Sequence, residues 1–150
     1  MGGLNREAFL KKVLFICTRN SARSQMAEGL VNHDLTGKVL AFSAGTDPSS
    51  VNPLAVAVMK EVGIDISHHR SKAMDEFADE RFDYVITLCD QANESCPVFF
   101  GGTRKLHMGF DDPAAVLGSE TEKLAAFRKA RDQLREAIVR FLLQEIEKEL

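Results

Sequence analysis

Residues 13–24 read Val-Leu-Phe-Ile-Cys-Thr-Arg-Asn-Ser-Ala-Arg-Ser, an apolar run followed by Cys-x5-Arg-Ser and then by an amphipathic segment. The apolar run is typical of a strand that is buried on both faces. In a loop from Cys17 to Arg23, successive backbone N–H groups can surround a tetrahedral oxyanion beside the positive end of the following helix. The stretch therefore predicts a strand–loop–helix unit that binds an oxyanion.

The first and last residues of this loop have side chains suited to such a guest. The planar guanidinium of Arg23 can bind two oxygens of the ion at once. The positive field that holds the ion also favours the thiolate form of Cys17, which would act as the nucleophile. Cys17 could instead simply end a hydrophobic strand as a small apolar residue. The unbroken order of strand, cysteine, polar loop, arginine and helix favours the functional interpretation. The predicted oxyanion-binding residues are Thr18, Arg19, Asn20, Ser21, Ala22, Arg23 and Ser24.

Apolar runs alternate with helical patterns along the rest of the chain. Strands are predicted over residues 12–17, 39–44, 83–88 and 105–108, and helices over residues 25–33, 53–62 and 121–150. Strands that alternate with helices form a parallel sheet joined by right-handed crossovers. We therefore expect a three-layer α/β fold, a four-stranded parallel sheet flanked by helices on both faces, with residues 1–150 forming one domain.

Composition narrows the class of protein. The net charge of -3 over 150 residues argues against general nucleic-acid binding and gives no sign of a membrane-surface role. No apolar run reaches the length of a transmembrane helix, and the first twelve residues have no apolar core of the signal-peptide type. Three cysteines, an odd number, fit reactive thiols in a reducing compartment better than a disulfide scaffold. We expect a cytoplasmic monomer.

Three chemically distinctive features follow strand ends. Cys17 ends the first predicted strand, Cys89 follows the third, and an Asp111-Asp112-Pro113 turn follows the fourth. Because the carboxyl ends of parallel strands meet at one edge of a sheet, we expect these features to converge there. Asp-Pro is a common turn dipeptide, so Asp112 could serve the turn alone. Its position after the fourth strand favours a catalytic role.

The second and third cysteines, Cys89 and Cys96, are separated by six residues, which is longer than a common zinc-knuckle spacing. The four histidines offer no matching ligand pattern, so no metal site is expected. A redox pair is more attractive. In a regular helix the two residues would lie about 10 Å apart along the axis, whereas a disulfide needs Cα atoms within about 7 Å. The segment would then be a loop, or a helix that unwinds on oxidation. Two unrelated cysteines beside a loop remain the alternative.

Taken together, the loop, the thiol pair and Asp112-Pro113 closely resemble the thioredoxin-coupled arsenate reductases, which share their fold with the low-molecular-weight protein tyrosine phosphatases. The strongest stretches are residues 17–29, 87–89 with 96–97, and 109–113. The loop alone marks the superfamily, and the loop with Cys89 and Cys96 is specific to the reductase branch.

The resemblance implies a thiol relay that serves arsenic detoxification. Cys17 would attack arsenate held by the loop and Arg23, while Asp112 protonates the departing oxygen. Cys89 would then attack Cys17, and arsenite would leave. Cys96 would finally attack Cys89, and thioredoxin or a similar dithiol protein would reduce the Cys89–Cys96 disulfide. Phosphate would compete with arsenate.

Two supporting residues and two departures also belong to this resemblance. Asn20 and Ser24 would hold the loop in shape and hydrogen-bond the thiolate. Arg19 stands where many relatives have glycine; a positive φ there would cost roughly 1 kcal/mol, and its charge would help to recruit a dianion. Ala22 replaces a second loop cysteine that the relay does not use.

Some members of the family bind a monovalent cation beside the loop. Asn20, Glu28 and Ser43 match the residue types of that site, but Lys72 occupies the position of a carboxylate ligand. We therefore hypothesise that no cofactor ion is needed, because the Lys72 ammonium takes its place. The alternative is a solvated surface lysine.

Two other functions remain open. A phosphotyrosine phosphatase would use Cys17, Arg23 and Asp112 through a phosphocysteine intermediate, without Cys89 or Cys96. Such enzymes wall their cleft with aromatic side chains, and residues 113–116, Pro-Ala-Ala-Val, offer none. A non-catalytic module that binds oxyanions or senses redox state would leave Asp112 without a purpose.

Overall fold

The computed structural model of the chain describes residues 10–90 and 102–149. Four strands form a single parallel sheet in the order β2-β1-β3-β4, which confirms the predicted α/β class. The strands are β1 (Lys11–Cys17), β2 (Val39–Gly45), β3 (Phe82–Thr87) and β4 (Gly102–His107). The helices are α1 (Arg23–Asp34), α2 (Pro53–Lys60), α3 (Glu120–Leu134) and α4 (Arg140–Lys148), with a π-helical turn (Arg135–Val139) and two 3-10 helices (Met74–Phe77 and Pro113–Ala115).

The central strand β1 positions the functional loop. It pairs with β2 along its whole length, with Cys17 opposite Gly45, and with β3 on its other side. The chain therefore leaves β1 toward one side of the sheet and later returns to the other side. In open parallel sheets this reversal of strand order creates a crevice at the carboxyl ends of the strands, where ligands bind. Cys17 ends the strand that borders this crevice.

Alternate residues of β1 face two different cores. Val13 and Phe15 belong to a large apolar cluster that also contains buried side chains of all four α-helices. Leu14 and Ile16 belong to a smaller cluster with the aromatic rings of Phe77, Phe82 and Phe42, which pack edge to face with centroids 5.7–5.8 Å apart. Burial on both faces explains why this strand has no polar alternation.

Several boundaries differ from the sequence prediction. β4 begins at Gly102 rather than at residue 105, because its ladder with β3 extends back to Phe82. The last helical region is interrupted by the π-helical turn, which a 3.6-residue pattern does not reveal. As a consequence Leu142 is buried, whereas Phe141 is only half-buried and packs edge-on against Tyr84.

Helix ends follow local chemistry. The side chain of Asn52 caps α2 by accepting a hydrogen bond from the Leu54 N–H, and Gly63, at φ +79°, closes the turn after it. Ser119 and Glu122 form a reciprocal capping box at the start of α3. Within the described ranges, no helix is both long enough and apolar enough to cross a membrane.

Candidate active site

The loop between β1 and α1 lies against the backbone of β2. A Cβ atom at Gly45 would lie 2.6 Å from the Thr18 carbonyl oxygen and 2.9 Å from the Asn20 nitrogen, so the close approach requires glycine. The Asp47 N–H donates to the same Thr18 carbonyl at 2.9 Å. The loop therefore cannot move toward β2, and its concave side opens at the carboxyl edge of the sheet.

A cavity of about 520 Å³ occupies this edge. Five of the seven predicted oxyanion-binding residues line it, together with Cys17 and Asp112. Asn20 and Ser24 are instead fully buried beneath the loop. None of the lining side chains that the structure describes is aromatic. The lining residues are Cys17, Thr18, Arg19, Ser21, Ala22, Arg23, Ser49, Asp112 and Ala114.

Cys17 is a free, buried thiol at the base of this cavity. Its Sγ lies 2.9 Å from Ser24 Oγ, and Asn20 Nδ2 donates to that same Oγ at 2.7 Å. Because the Asn20 amide already supplies one donor to the hydroxyl, the Ser24 proton is available to point at the sulfur. A hydrogen bond of this kind stabilises a thiolate.

Asn20 carries the positive backbone φ of the loop, at +48°. The cost considered for Arg19 therefore does not arise: Arg19 has no positive φ, and replacement of glycine there is not strained. Asparagine is among the residues that tolerate the left-handed conformation. Its Oδ1 accepts from the Lys72 backbone N–H at 2.8 Å and from Gln25 Nε2 at 2.9 Å, which fixes the conformation.

Gln25 connects the underside of the loop to a distant segment, a role that no feature of the sequence indicated. Its Nε2 is also close to the carbonyl oxygens of Asn20, at 3.1 Å, and Arg70, at 2.9 Å. Its Oε1 lies 3.0 Å from His69 Nδ1. Burial lowers the pKa of His69, and the Glu28 carboxylate partly opposes this effect. The segment 69–72 thus supports the loop from below.

Arg23 and Asp112 meet at the opposite wall. The guanidinium of Arg23 is buried, donates to the Phe110 carbonyl oxygen at 3.0 Å, and lies 3.9 Å from Asp112 Oδ2. The other oxygen, Asp112 Oδ1, accepts from the Ala114 N–H at 2.9 Å and caps the 3-10 helix. The turn role and a role in the cavity are therefore compatible, because each uses a different carboxylate oxygen.

The side chain of Arg19 lies at the mouth of the cavity. It pairs with Asp47 at 3.0 Å, and both side chains are about two-thirds exposed. Ser71 Oγ donates to the Arg19 carbonyl at 2.8 Å, which fixes the backbone beneath it. The positive charge expected at the mouth is thus present, with a carboxylate beside it.

Cys89 follows β3 on the adjacent strand. It is buried, it is half of a disulfide, and it does not line the cavity around Cys17. The two regions are joined by the backbone, since the Leu88 N–H donates to the Ile16 carbonyl at 2.8 Å. Cys96 lies outside the described residues, so its predicted pairing with Cys89 stays a prediction.

Lys72 lies beside the residues of the hypothesised cation site. Its Nζ is 3.7 Å from Glu28 Oε1 and donates to the Arg70 carbonyl at 3.1 Å. Ser43 Oγ donates to the same Glu28 oxygen at 2.7 Å. Only 11% of the Lys72 side chain is exposed, so it is not a solvated surface lysine. Across the residues that the structure describes, no three metal-ligating side chains cluster.

Comparison with known proteins shows which family this chain resembles. Residues 12–150 match the family described as low molecular weight phosphotyrosine protein phosphatase. The arsenate reductase of Halalkalibacterium halodurans is 44% identical over 131 residues, which cover 87% of this chain and 94% of that protein. The similarity thus extends over most of this chain and nearly the whole of that protein.

Two solved structures extend the similarity to three dimensions. An arsenate reductase in its phosphate-binding state superposes with a TM-score of 0.76 at 37% identity, over 90% of this chain and 98% of the other. A thioredoxin-dependent arsenate reductase from Corynebacterium glutamicum gives a TM-score of 0.66 at 27% identity, over 94% of this chain and 64% of that one. The fold, and its similarity to arsenate reductases, therefore agree with what the sequence resemblance implied.

Proposed function

This chain belongs to the low molecular weight phosphotyrosine protein phosphatase family, and from that premise we propose that it reduces arsenate to arsenite by a relay of three thiols. The observation that carries the proposal is the free thiol of Cys17, hydrogen-bonded to Ser24 Oγ at the base of a cavity that also exposes Arg23 and Asp112. A nucleophile, an anion-binding guanidinium and an acid thus share one space of suitable size.

In the first step the Cys17 thiolate attacks arsenic. Loop N–H groups and the Arg23 guanidinium hold the arsenate oxygens and stabilise the charge that develops on them. Asp112 in its acid form gives a proton to the departing oxygen, which leaves as water. The product is a Cys17–arsenic(V) adduct.

In the second step Cys89 attacks the sulfur of Cys17. A sulfur–sulfur bond forms, the sulfur–arsenic bond breaks, and its electron pair reduces arsenic(V) to arsenic(III), so that arsenite leaves. Cys96 then attacks Cys89 and releases Cys17 as a thiol. The remaining Cys89–Cys96 disulfide holds the oxidising equivalents.

A dithiol protein of the thioredoxin type would complete the cycle. This assignment is supported by the thioredoxin-dependent reductase among the structural neighbours, and it agrees with a disulfide-bonded Cys89 and a free Cys17 in the same chain. The reduction requires a cellular compartment rich in such proteins, which favours the cytoplasm. The predicted monomer remains part of the same proposal.

Phosphate ester hydrolysis is the second candidate, as a side activity. Cys17, Arg23 and Asp112 are the groups that such hydrolysis through a phosphocysteine intermediate needs. Among the described residues that line the cavity none is aromatic and able to grip a phosphotyrosine ring, so we expect slow turnover of small aryl phosphates.

The decisive test is Cys96→Ser, assayed in two ways. Arsenate-dependent oxidation of NADPH with thioredoxin and its reductase should fall to background, whereas para-nitrophenyl phosphate hydrolysis should stay within about twofold of wild type, because Cys17 chemistry is untouched. Arsenate turnover that survives the substitution would refute the relay. A wild-type enzyme that hydrolyses the ester but never oxidises NADPH would favour the phosphatase.

We also propose that the Lys72 ammonium supplies the positive charge that a monovalent cation would provide next to Glu28. The support is its position, 3.7 Å from Glu28 Oε1 and largely shielded from water. We expect wild-type turnover to be the same in potassium and in a tetramethylammonium buffer, and Lys72→Met to become potassium-dependent. Strong potassium activation of the wild type would overturn this assignment.

A further inference from the structure

We propose that His107 is the proton acceptor for the Cys89 thiol, an inference that deepens the relay and rests on it. The relay needs Cys89 as a thiolate, yet Cys89 is fully buried, and burial disfavours ionisation of a thiol. It also lies apart from the groups that line the cavity around Cys17. A separate base near the end of β3 would meet this need.

Backbone pairing places His107 beside the end of β3. His107 is the register partner of Thr87, two residues before Cys89. The ladder continues past it, since the Met108 N–H donates to the Thr87 carbonyl at 2.9 Å and the Phe110 N–H donates to the Leu88 carbonyl at 3.1 Å. The imidazole is therefore attached to the same rigid backbone that carries Cys89.

The contacts of Thr87 favour one tautomer of the ring. Thr87 Oγ1 lies 2.8 Å from His107 Nδ1 and also donates to the Leu106 carbonyl at 3.4 Å. A hydroxyl has a single proton, so with that proton directed at Leu106 it accepts from Nδ1–H. The neutral ring then carries its basic lone pair on Nε2.

Gly109 leaves the space between this nitrogen and Cys89. A Cβ atom at Gly109 would lie 2.9 Å from His107 Nε2 and 3.2 Å from the Cys89 carbonyl oxygen. Both groups thus border one small volume that no side chain occupies at position 109. The proposed transfer runs across this volume, from the thiol of Cys89 to Nε2, directly or through one water molecule.

The step balances without another reactant. The Cys89 S–H bond breaks, its proton goes to His107 Nε2, and the thiolate attacks Cys17 sulfur as arsenite departs. Because His107 is exposed, the imidazolium returns the proton to solvent. The charged groups nearest along the chain are Asp90, after Cys89, and Lys105, which alternation places on the same face of β4.

His107→Gln tests the proposal, because glutamine can still donate to Thr87 but cannot accept a proton. The measurement is a single turnover: reduced enzyme is mixed with arsenate without thioredoxin, and arsenite and the loss of alkylatable thiols are followed. We expect the rate at pH 7 to fall about tenfold or more and to approach that of wild type above the ordinary thiol pKa of about 8.5. Lys105→Gln, which removes a neighbouring charge, should leave the rate unchanged.

Hydrolysis of para-nitrophenyl phosphate separates this role from a structural one. It depends on Cys17 and not on Cys89, so His107→Gln should leave it within about twofold of wild type. Gly109→Ala, which places a methyl against Nε2, should slow the same single turnover without this hydrolysis changing. An unaltered single-turnover rate in His107→Gln, with wild type forming arsenite, would overturn the proposal alone. A wild type that forms no arsenite would overturn the proposed function itself.

Discussion

The first and second thiols of this protein lie at the ends of neighbouring strands, yet their surroundings differ. Cys17 is a free thiol held over a buried network that runs through Ser24 and Asn20. Cys89 is disulfide-bonded, it is followed by Asp90, and at the end of β3 the side chain of Thr87 contacts the exposed imidazole of His107.

This difference follows from what each thiol has to do. A nucleophile that must meet a small, symmetric oxyanion gains most from a fixed geometry, because every donor can then be aimed in advance. A thiol that exchanges disulfides needs ionisation and access to successive partners instead. The polar side chains around Cys17 therefore make the loop rigid, and we infer that those near Cys89 serve proton transfer.

The largest expected effect separates the two thiols by chemistry. Cys17→Ser should reduce para-nitrophenyl phosphate hydrolysis by about 10⁴-fold, because the nucleophile is lost, whereas Cys89→Ser should leave it within about twofold. Both substitutions should abolish arsenite formation. Stopped assays on the two purified variants are sufficient, and a large loss of ester hydrolysis in Cys89→Ser would break the comparison.

Arg23→Lys is expected to have the next largest effect, about 10²-fold on ester hydrolysis. Lysine retains the charge but loses the planar fork and the hydrogen bond to the Phe110 carbonyl. Arg19→Lys is the matched control: its guanidinium is exposed and paired with Asp47, so activity should change less than about threefold. Full activity in both variants would show that only the charge matters, and equal losses in the two would contradict a special role for the Arg23 guanidinium.

Asn20→Ala tests the rigidity of the first region. Alanine at φ +48° costs about 1 kcal/mol, and the lost amide no longer orients Ser24, so we expect ester hydrolysis to fall roughly tenfold. Asn32→Ala, which removes an amide that bridges α1 to Ala41 far from the loop, should destabilise without this loss of activity. Denaturant unfolding and kcat should be measured on both, and equal catalytic losses would contradict the role of the network.

Asp34→Asn is expected to have the smallest effect and concerns stability alone. A hydrogen bond from Arg135 lowers the pKa of Asp34 in the folded state. The carboxylate therefore stabilises the fold above the unfolded-state pKa of about 4, and this contribution is lost as pH falls through the folded-state pKa. We expect the substitution to lower the free energy of unfolding by about 1 kcal/mol at pH 7 and by less below pH 4. The value is kept small because Arg135 is one-third exposed, so that solvent screens the ion pair. A penalty that grows on acidification would exclude this origin.

The parts of the site that could be predicted share one property. Each depends only on the order in which strands, loops and reactive residues follow one another along the chain. The apolar run before Cys17 predicts a central strand, and the spacing from Cys17 to Arg23 predicts the loop. The position of Asp112 after the fourth strand predicts that it reaches the same edge. Each statement needs only the periodicity of strands and the rule that parallel strands end together.

The supports of the site were not predictable in this way. Gln25 is one of several polar residues at the start of α1, and nothing local shows that it reaches the Arg70 carbonyl, 45 residues away. His107 is the last residue of the short strand β4, and its place beside the end of β3 depends on the register of the two strands, which no local pattern reveals. The π-helical turn likewise breaks a pattern that reads as one continuous helix.

The sequence by itself determined the strands of the sheet, the oxyanion loop and the identity of its nucleophile. These features follow from local sequence pattern and short-range geometry. Only the tertiary structure decided which residue bears the positive φ, where the Lys72 ammonium lies and which histidine pairs with the end of β3. The physical reason is that long-range hydrogen bonds and steric contacts form between segments whose separation along the chain carries no signal. Packing alone brings such segments within a few ångströms of each other.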